Sequence, residues 1–123
     1  MKLVFCLRRL PHLSRAEFQR DWLEQHGPLV RSHAATLGIR RYVQTHTDDL
    51  PLTDALRATR GAPEPYDGVA ELWWDSVDAF AAAVSTREGM AASQALLEDE
   101  RRFIDHTRSP LFLATEHPQI GGA

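Results

Sequence analysis

A single cysteine in 123 residues excludes a disulfide framework. Cys6 also lies in an apolar run, where a thiol packs as a small hydrophobe. No apolar run approaches the roughly 20 residues that a membrane-spanning helix needs. Arg8 and Arg9 interrupt the first apolar stretch, so no signal-peptide pattern is read there, and a cytoplasmic protein without a membrane partner is expected. A basic surplus is missing too. The formal charge is −3, and the thirteen arginines are scattered or in short pairs (Arg8-Arg9, Arg40-Arg41, Arg101-Arg102), which argues against a nucleic-acid partner. The chain has no His-Glu-x-x-His, no glycine-rich phosphate loop and no Gly-x-Ser-x-Gly elbow. His26 and His33 stand about 10 Å apart along a helix, too far to share one metal unaided. The working expectation is no metal and no cofactor, with a site from His26, His46 and a carboxylate as the open alternative.

What is present is one domain's worth of an ordinary globular composition, with 43% hydrophobic and 25% charged residues. Residues 2–9 read as a strand. Ser14 with Glu17 forms a capping-box signal for a helix from about 15 to 36, and Gly38 ends it. Residues 39–47 and 68–75 read as two further strands. Helical segments follow at 77–84 and from 87 to about 105, and residues 111–116 close the pattern as a fourth strand. Residues 48–67 form an insertion, part of it helical with Thr53 as cap, Leu52 and Leu56 on one side and Gly61 as stop. A connection of that length is uncommon unless functional, and a cover over one end of a cleft is expected.

This βαββαβ order predicts an α+β, ferredoxin-like fold with an antiparallel four-stranded sheet and helices on one face. Both sheet faces carry apolar side chains. Leu3, Phe5 and Leu7 oppose Val4 and Cys6, while Ala70, Leu72 and Trp74 oppose Val69, Glu71 and Trp73. Leu111 and Leu113 likewise oppose Phe112 and Ala114. Helices can cover one face, so a second subunit is expected on the other, as a homodimer built sheet to sheet.

The segment Trp22-Leu-Glu-Gln-His26-Gly27-Pro28 holds the richest chemistry. Helical spacing puts Phe18, Trp22, Leu29 and Leu37 on one stripe, and extrapolation adds His26 and His33 to it. Pro28 has no amide hydrogen and strips the Glu24 carbonyl of its partner, so a kink is expected beside His26. His26 can exchange a proton near neutral pH, which makes it the first candidate acid or base. Tyr42 and His46 share one side of their strand with Gln44 between them. Glu71, alone in an apolar strand, calls for a partner. The candidate catalytic residues are therefore His26, Glu71 and His46. Trp22, His33, Tyr42, Tyr66, Trp73, Trp74 and Phe80 are candidates for binding a flat, apolar ligand, with the choice between Trp73 and Trp74 open.

The opening strand Leu-Val-Phe-Cys-Leu-Arg-Arg, the Trp22-xxx-His26-Gly27-Pro28 segment, the strand Val69-Ala-Glu-Leu-Trp73 and the late stretch from Glu98-Asp99-Glu100 to Phe103-Ile104-Asp105 together resemble the EthD family. The resemblance spans about residues 1–117 and leaves 118–123 as a tail. It implies a dimeric α+β barrel with a cleft in each subunit between helices and sheet. The fold group's members include polyketide cyclases, dehydratases and cofactor-free monooxygenases. The resemblance thus implies a cofactor-independent oxidoreductase, or a lyase or cyclase, that moves a proton on a small apolar, aromatic or polyketide-like substrate. A non-catalytic ligand-binding or accessory protein is the alternative, and an assembly module the third reading.

Overall fold

A computed structural model describes residues 1–122. Strands β1 (Lys2–Leu7), β2 (Arg41–His46), β3 (Gly68–Trp73) and β4 (Leu111–Ala114) form one antiparallel sheet in the order β2-β3-β1-β4. The expected ferredoxin-like α+β fold is present. Helices α1 (Arg15–Asp21), α2 (Gly27–Leu37), α4 (Val77–Ser85) and α5 (Arg87–Glu100) supply the second layer, and α3 (Pro51–Arg60) lies in the insertion.

The register sorts the side chains by strand parity. Leu3 pairs with Leu72 and Leu113, Phe5 with Ala70 and Leu111, and Tyr42 with Leu72, so these face the helices. Val4 pairs with Glu71 and Phe112, and Val43 with Glu71, on the opposite face. There the Lys2–Glu71 ion pair is ringed by Val4, Val43, Val69 and Phe112, and Phe112 is half exposed. Lys2 and Arg41 both lie over the Trp73 ring.

Helix one is capped as its sequence dictates. Ser14 Oγ accepts from the Glu17 amide, and the Glu17 carboxylate accepts from the Ser14 amide. Gly38 closes α2 at φ 71°, the left-handed conformation that glycine adopts without penalty. Between α1 and α2 the helical backbone continues through Pro28. It widens into a π-helical turn, Trp22–His26, in which the Gly27 amide donates five residues back to the Trp22 carbonyl. One wider turn absorbs the hydrogen bond that proline cannot make. It also resets the register, so that Phe18, Trp22, His26 and Val30, spaced four apart, are all buried. Leu29 and His33, placed on that stripe by uniform α spacing, are only half-buried.

Two further boundaries differ from expectation. The last helical segment stops at Glu100 rather than near 105, because Phe103 and Ile104 turn into the core beside Phe5, Leu7, Phe18 and Trp22. Thr53 is an interior residue of α3. Leu50 is the cap and Pro51 opens the helix, where a missing amide hydrogen costs nothing. Leu52 and Leu56 do share one side of α3, and that side faces solvent.

Trp22 lies flat against the sheet only because Gly68 has no side chain. A Cβ there would stand 2.8 Å from Trp22 Cη2 and 2.9 Å from the Thr45 carbonyl oxygen. Gly68→Ala is therefore expected to destabilise the fold by about 1–3 kcal/mol, the usual cost of overpacking. Urea denaturation checks this, and a midpoint equal to that of the parent would show that Trp22 is not held there.

Candidate active site

Helices and sheet enclose a cavity of about 270 Å³. The sheet supplies Leu3, Phe5, Tyr42 and Leu72 to its floor. Trp22, His26 and Val30 come from helix one, Phe80 and Val84 from α4, and Ser93, Leu96 and Glu100 from α5. Trp74 closes one side, edge-on to Phe80 at 4.5 Å, with its indole N–H donated to the Leu37 carbonyl at 2.7 Å. Most of this wall is hydrocarbon, and the few polar groups in it are His26, Tyr42, Ser93 and Glu100.

His26 is buried, with its ring edge against Phe103. Its Nδ1 lies 2.8 Å from Asp99 Oδ2. The carboxylate accepts the Nδ1 proton, which leaves Nε2 as the basic nitrogen of the neutral ring. Among the described residues no side chain bonds Nε2, yet no fully buried side-chain nitrogen or oxygen goes unpartnered. Nε2 therefore keeps some accessible surface, and His26 is one of the residues that border the cavity. Asp99 is itself fixed by Arg102, whose Nε donates at 2.8 Å and which also reaches Asp21. Burial pushes the Asp99 carboxyl up, but the hydrogen bonds from His26 and Arg102 outweigh it and hold the group below its ordinary range.

The polar row on β2 forms as the strand period requires. Gln44 Nε2 donates to the Tyr42 hydroxyl oxygen at 2.7 Å and to the Trp22 carbonyl at 2.9 Å, and Gln44 Oε1 takes the His46 Nε2 proton at 2.8 Å. With its oxygen already accepting, Tyr42 keeps its own O–H to give. Burial pushes the Tyr42 phenol up, hydrogen bonds from Gln44 and Trp22 oppose that, the Glu100 charge adds to the rise and the Arg31 charge lowers it. The phenol is thus kept protonated as a donor. Glu100 is held in turn by His106, with Oε1 3.0 Å from Nε2.

Of the residues expected at the site, His26, Trp22, Tyr42, Trp74 and Phe80 meet at the cavity. The others do not. Glu71 and Trp73 face the opposite side of the sheet, where Lys2 satisfies Glu71 and Glu116 accepts the Trp73 N–H at 2.7 Å. His46 lies behind Trp22, stacked on it at 4.4 Å, and burial lowers its pKa. His33 is carried off the lining by the π turn. Tyr66 packs under the Arg8 guanidinium, 4.4 Å away. None of residues 48–67 borders this cavity, so in the single chain the insertion does not cover it. It is tied instead to the start of α1, by Arg15 to Asp49, and to the end of β1, by Arg8 to the Glu64 and Pro65 carbonyls.

Residue-type reasoning passed over Asp99 and Glu100. The available signal was two adjacent carboxylates at the end of a helix that also carries an apolar stripe. Neighbouring residues on a helix point roughly 100° apart, and here each meets its own histidine.

The EthD domain model matches residues 10–107. An ethyl tert-butyl ether d (EthD) family protein from Bacillus halodurans C-125 is 21% identical, with a TM-score of 0.61 over 94% of this chain and 97% of that one. A dimeric protein of unknown function and ferredoxin-like fold from Bacteroides fragilis NCTC 9343 is 10% identical, with a TM-score of 0.56 over 90% of each chain. SnoaB, a cofactor-independent oxygenase from Streptomyces nogalater, is 19% identical, with a TM-score of 0.50 over 98% of each chain. No curated protein matches the sequence. At these identities the solved structures carry the fold alone. The family model, covering most of the sequence from Leu10 to Thr107, carries the assignment: the chain belongs to the EthD family.

Proposed function

We propose that this protein is a cofactor-independent enzyme that moves a proton on a small apolar ring substrate bound between helices and sheet. The observation that carries this reading is the His26–Asp99 pair, a buried imidazole whose Nδ1 is held by a carboxylate and which borders a hydrocarbon-walled cavity. In the step proposed, Nε2 takes a proton from a carbon beside a carbonyl, and the electron pair moves onto the carbonyl oxygen. The Tyr42 O–H donates to that oxygen as charge develops on it. Asp99 keeps Nδ1 protonated and stabilises the imidazolium that forms, the role an orienting carboxylate plays beside any histidine base. Returning the proton at another atom gives isomerisation. Attack of the enolate carbon on a second carbonyl of the same substrate forms the ring bond, with the proton passing to the new alkoxide. The carbanion is the species that dioxygen would consume in an oxygenation. SnoaB, a cofactor-independent oxygenase on the same fold, supports the class of reaction by analogy only.

The reading extends to assembly. The outer sheet face, apolar around the Lys2–Glu71 pair, supports a homodimer packed sheet to sheet. Neighbours of ferredoxin-like fold that are described as dimeric point the same way.

Deuterium exchange at the methylene beside the carbonyl of 1-tetralone, followed by NMR in D₂O, tests the proton step directly. Wild-type protein is expected to accelerate it, and His26→Gln to lose on the order of 10²-fold, the usual worth of a general base. Binding without acceleration would leave a carrier protein.

Asp99→Asn should bind 1-tetralone normally and slow its exchange. It also carries a stability signature. A carboxylate whose folded pKa is depressed stabilises the fold fully above its unfolded pKa, and that contribution is lost as the pH falls through the folded value. The variant should be less stable than the parent at neutral pH by about 1.5–3 kcal/mol, the scale of hydrogen bonds to a charged group. The gap should close in acid, as read from urea midpoints against pH. A gap independent of pH would place Asp99 outside this linkage.

Sedimentation should give about 28 kDa, twice the 13.9 kDa chain. Phe112→Asp, on the half-exposed outer face, should give folded monomer, because a dimer would bury the new charge unpaired. A wild-type monomer at micromolar concentration would remove the dimer.

A further inference from the structure

Every polar group in the cavity wall belongs to a residue that is neutral or acidic at its contacting end, or to an imidazole already matched by a carboxylate. Glu100 borders the cavity, and none of the residues lining it is a lysine or an arginine. His26, the one side chain there that can become a cation, already has Asp99 at 2.8 Å. Arg102, beside that pair, is committed to Asp99 and Asp21. Arg31 opens onto a different surface groove. A carboxylate entering the cavity would lose its water, meet Glu100 and find no unmatched positive charge. Burying an unpaired charge of that kind is among the largest penalties in a protein interior. An uncharged hydroxyl or carbonyl meets the opposite situation, because Glu100 and His26 Nε2 accept a proton while Tyr42 O–H donates one.

We propose that Glu100 makes this cleft selective for uncharged ring compounds bearing a hydroxyl or carbonyl oxygen, and closes it to ring carboxylates. The inference rests on reading the cleft as a ligand site, and adds which ligands it takes. Burial is the main cause that keeps the Tyr42 phenol from ionising; the Glu100 charge adds to it, and Arg31 opposes it from the neighbouring groove. Ionising a ligand oxygen nearby is opposed in the same way. The volume of about 270 Å³ lies just below the usual range for drug-sized ligands, which suits a molecule of one or two rings. His106 gives Glu100 its position: the imidazole holds Oε1 at 3.0 Å, and among the described residues Oε2 has no hydrogen-bond partner.

The test is calorimetric titration at pH 7 with 1-naphthol and 1-naphthoate, which share a ring system and differ in charge. Wild-type protein is expected to bind 1-naphthol at least about tenfold more tightly than 1-naphthoate, a difference of about 1.4 kcal/mol. Glu100→Gln keeps the shape and removes the charge. It should tighten 1-naphthoate several-fold and weaken 1-naphthol, whose hydroxyl exchanges a charged acceptor for a neutral amide oxygen, so that the ratio between the probes falls. Ser93→Lys, which brings a cation into the same wall, should also tighten 1-naphthoate and keeps the test open if Glu100→Gln fails to fold. Equal binding of the two probes by wild-type protein, or a ratio unchanged in both variants, overturns the proposal. Binding of neither probe overturns it together with the ligand-site reading. The expected selectivity without exchange of 1-tetralone upholds it and removes only the proton-transfer step.

Discussion

The packing of Trp22 against the bare backbone at Gly68 is the contact on which the site depends. It is fully buried, ties helix one to the strand beside β1, and fixes the rotation of that helix about its axis. Four residues later in each direction stand Phe18 and His26, and Val30 follows. These four stay in line because the turn between them is π-helical, and that turn exists because Pro28 cannot donate a hydrogen bond. The Trp22 carbonyl at its start takes both the Gly27 amide and the Gln44 side chain, so the turn is braced from the sheet as well. Local backbone chemistry and long-range packing therefore set the same angle, and the His26 ring is delivered to the cavity rather than to solvent.

The cavity is an apolar enclosure with its charges kept at the margin. Adjacent carboxylates on α5 serve two different imidazoles, Asp99 with His26 and Glu100 with His106. Asp99 reaches its partner from behind and is neutralised again by Arg102, which lets the imidazole accept a proton without leaving a bare charge behind it. Glu100 borders the cavity and is the one carboxylate among its lining residues. A low-dielectric wall strengthens both effects, because neither charge is screened there as it would be in water.

Much of the fold was legible in the chain. Strand parity sorted the two sheet faces correctly, because side-chain alternation depends only on the backbone. The Ser14–Glu17 box and Gly38 marked the ends of helix one, since a cap is satisfied by residues within one turn of it. His26, Trp22 and Tyr42 were identifiable as a site because an ionisable ring or phenol on a buried face is itself unusual. His33 was misplaced for a definable reason. Uniform α spacing was extrapolated through a proline that the chain accommodates with a wider turn, and one extra residue rotates everything beyond it.

What the sequence determined by itself was the set of local commitments: which residues form strands and helices, which side of each is apolar, and that His26 sits beside a backbone irregularity. Tertiary structure alone decided the partners. Asp99 lies 73 residues from His26 and no periodicity links them, because they meet only when α5 packs against helix one. Glu71 looked like the missing carboxylate, yet the same alternation that organises the sheet sends it to the far face, where Lys2 receives it. Trp73 and Trp74 are neighbours in sequence and belong to opposite surfaces. Local structure follows from interactions within a few residues, whereas the chemistry of a site depends on groups brought together through space.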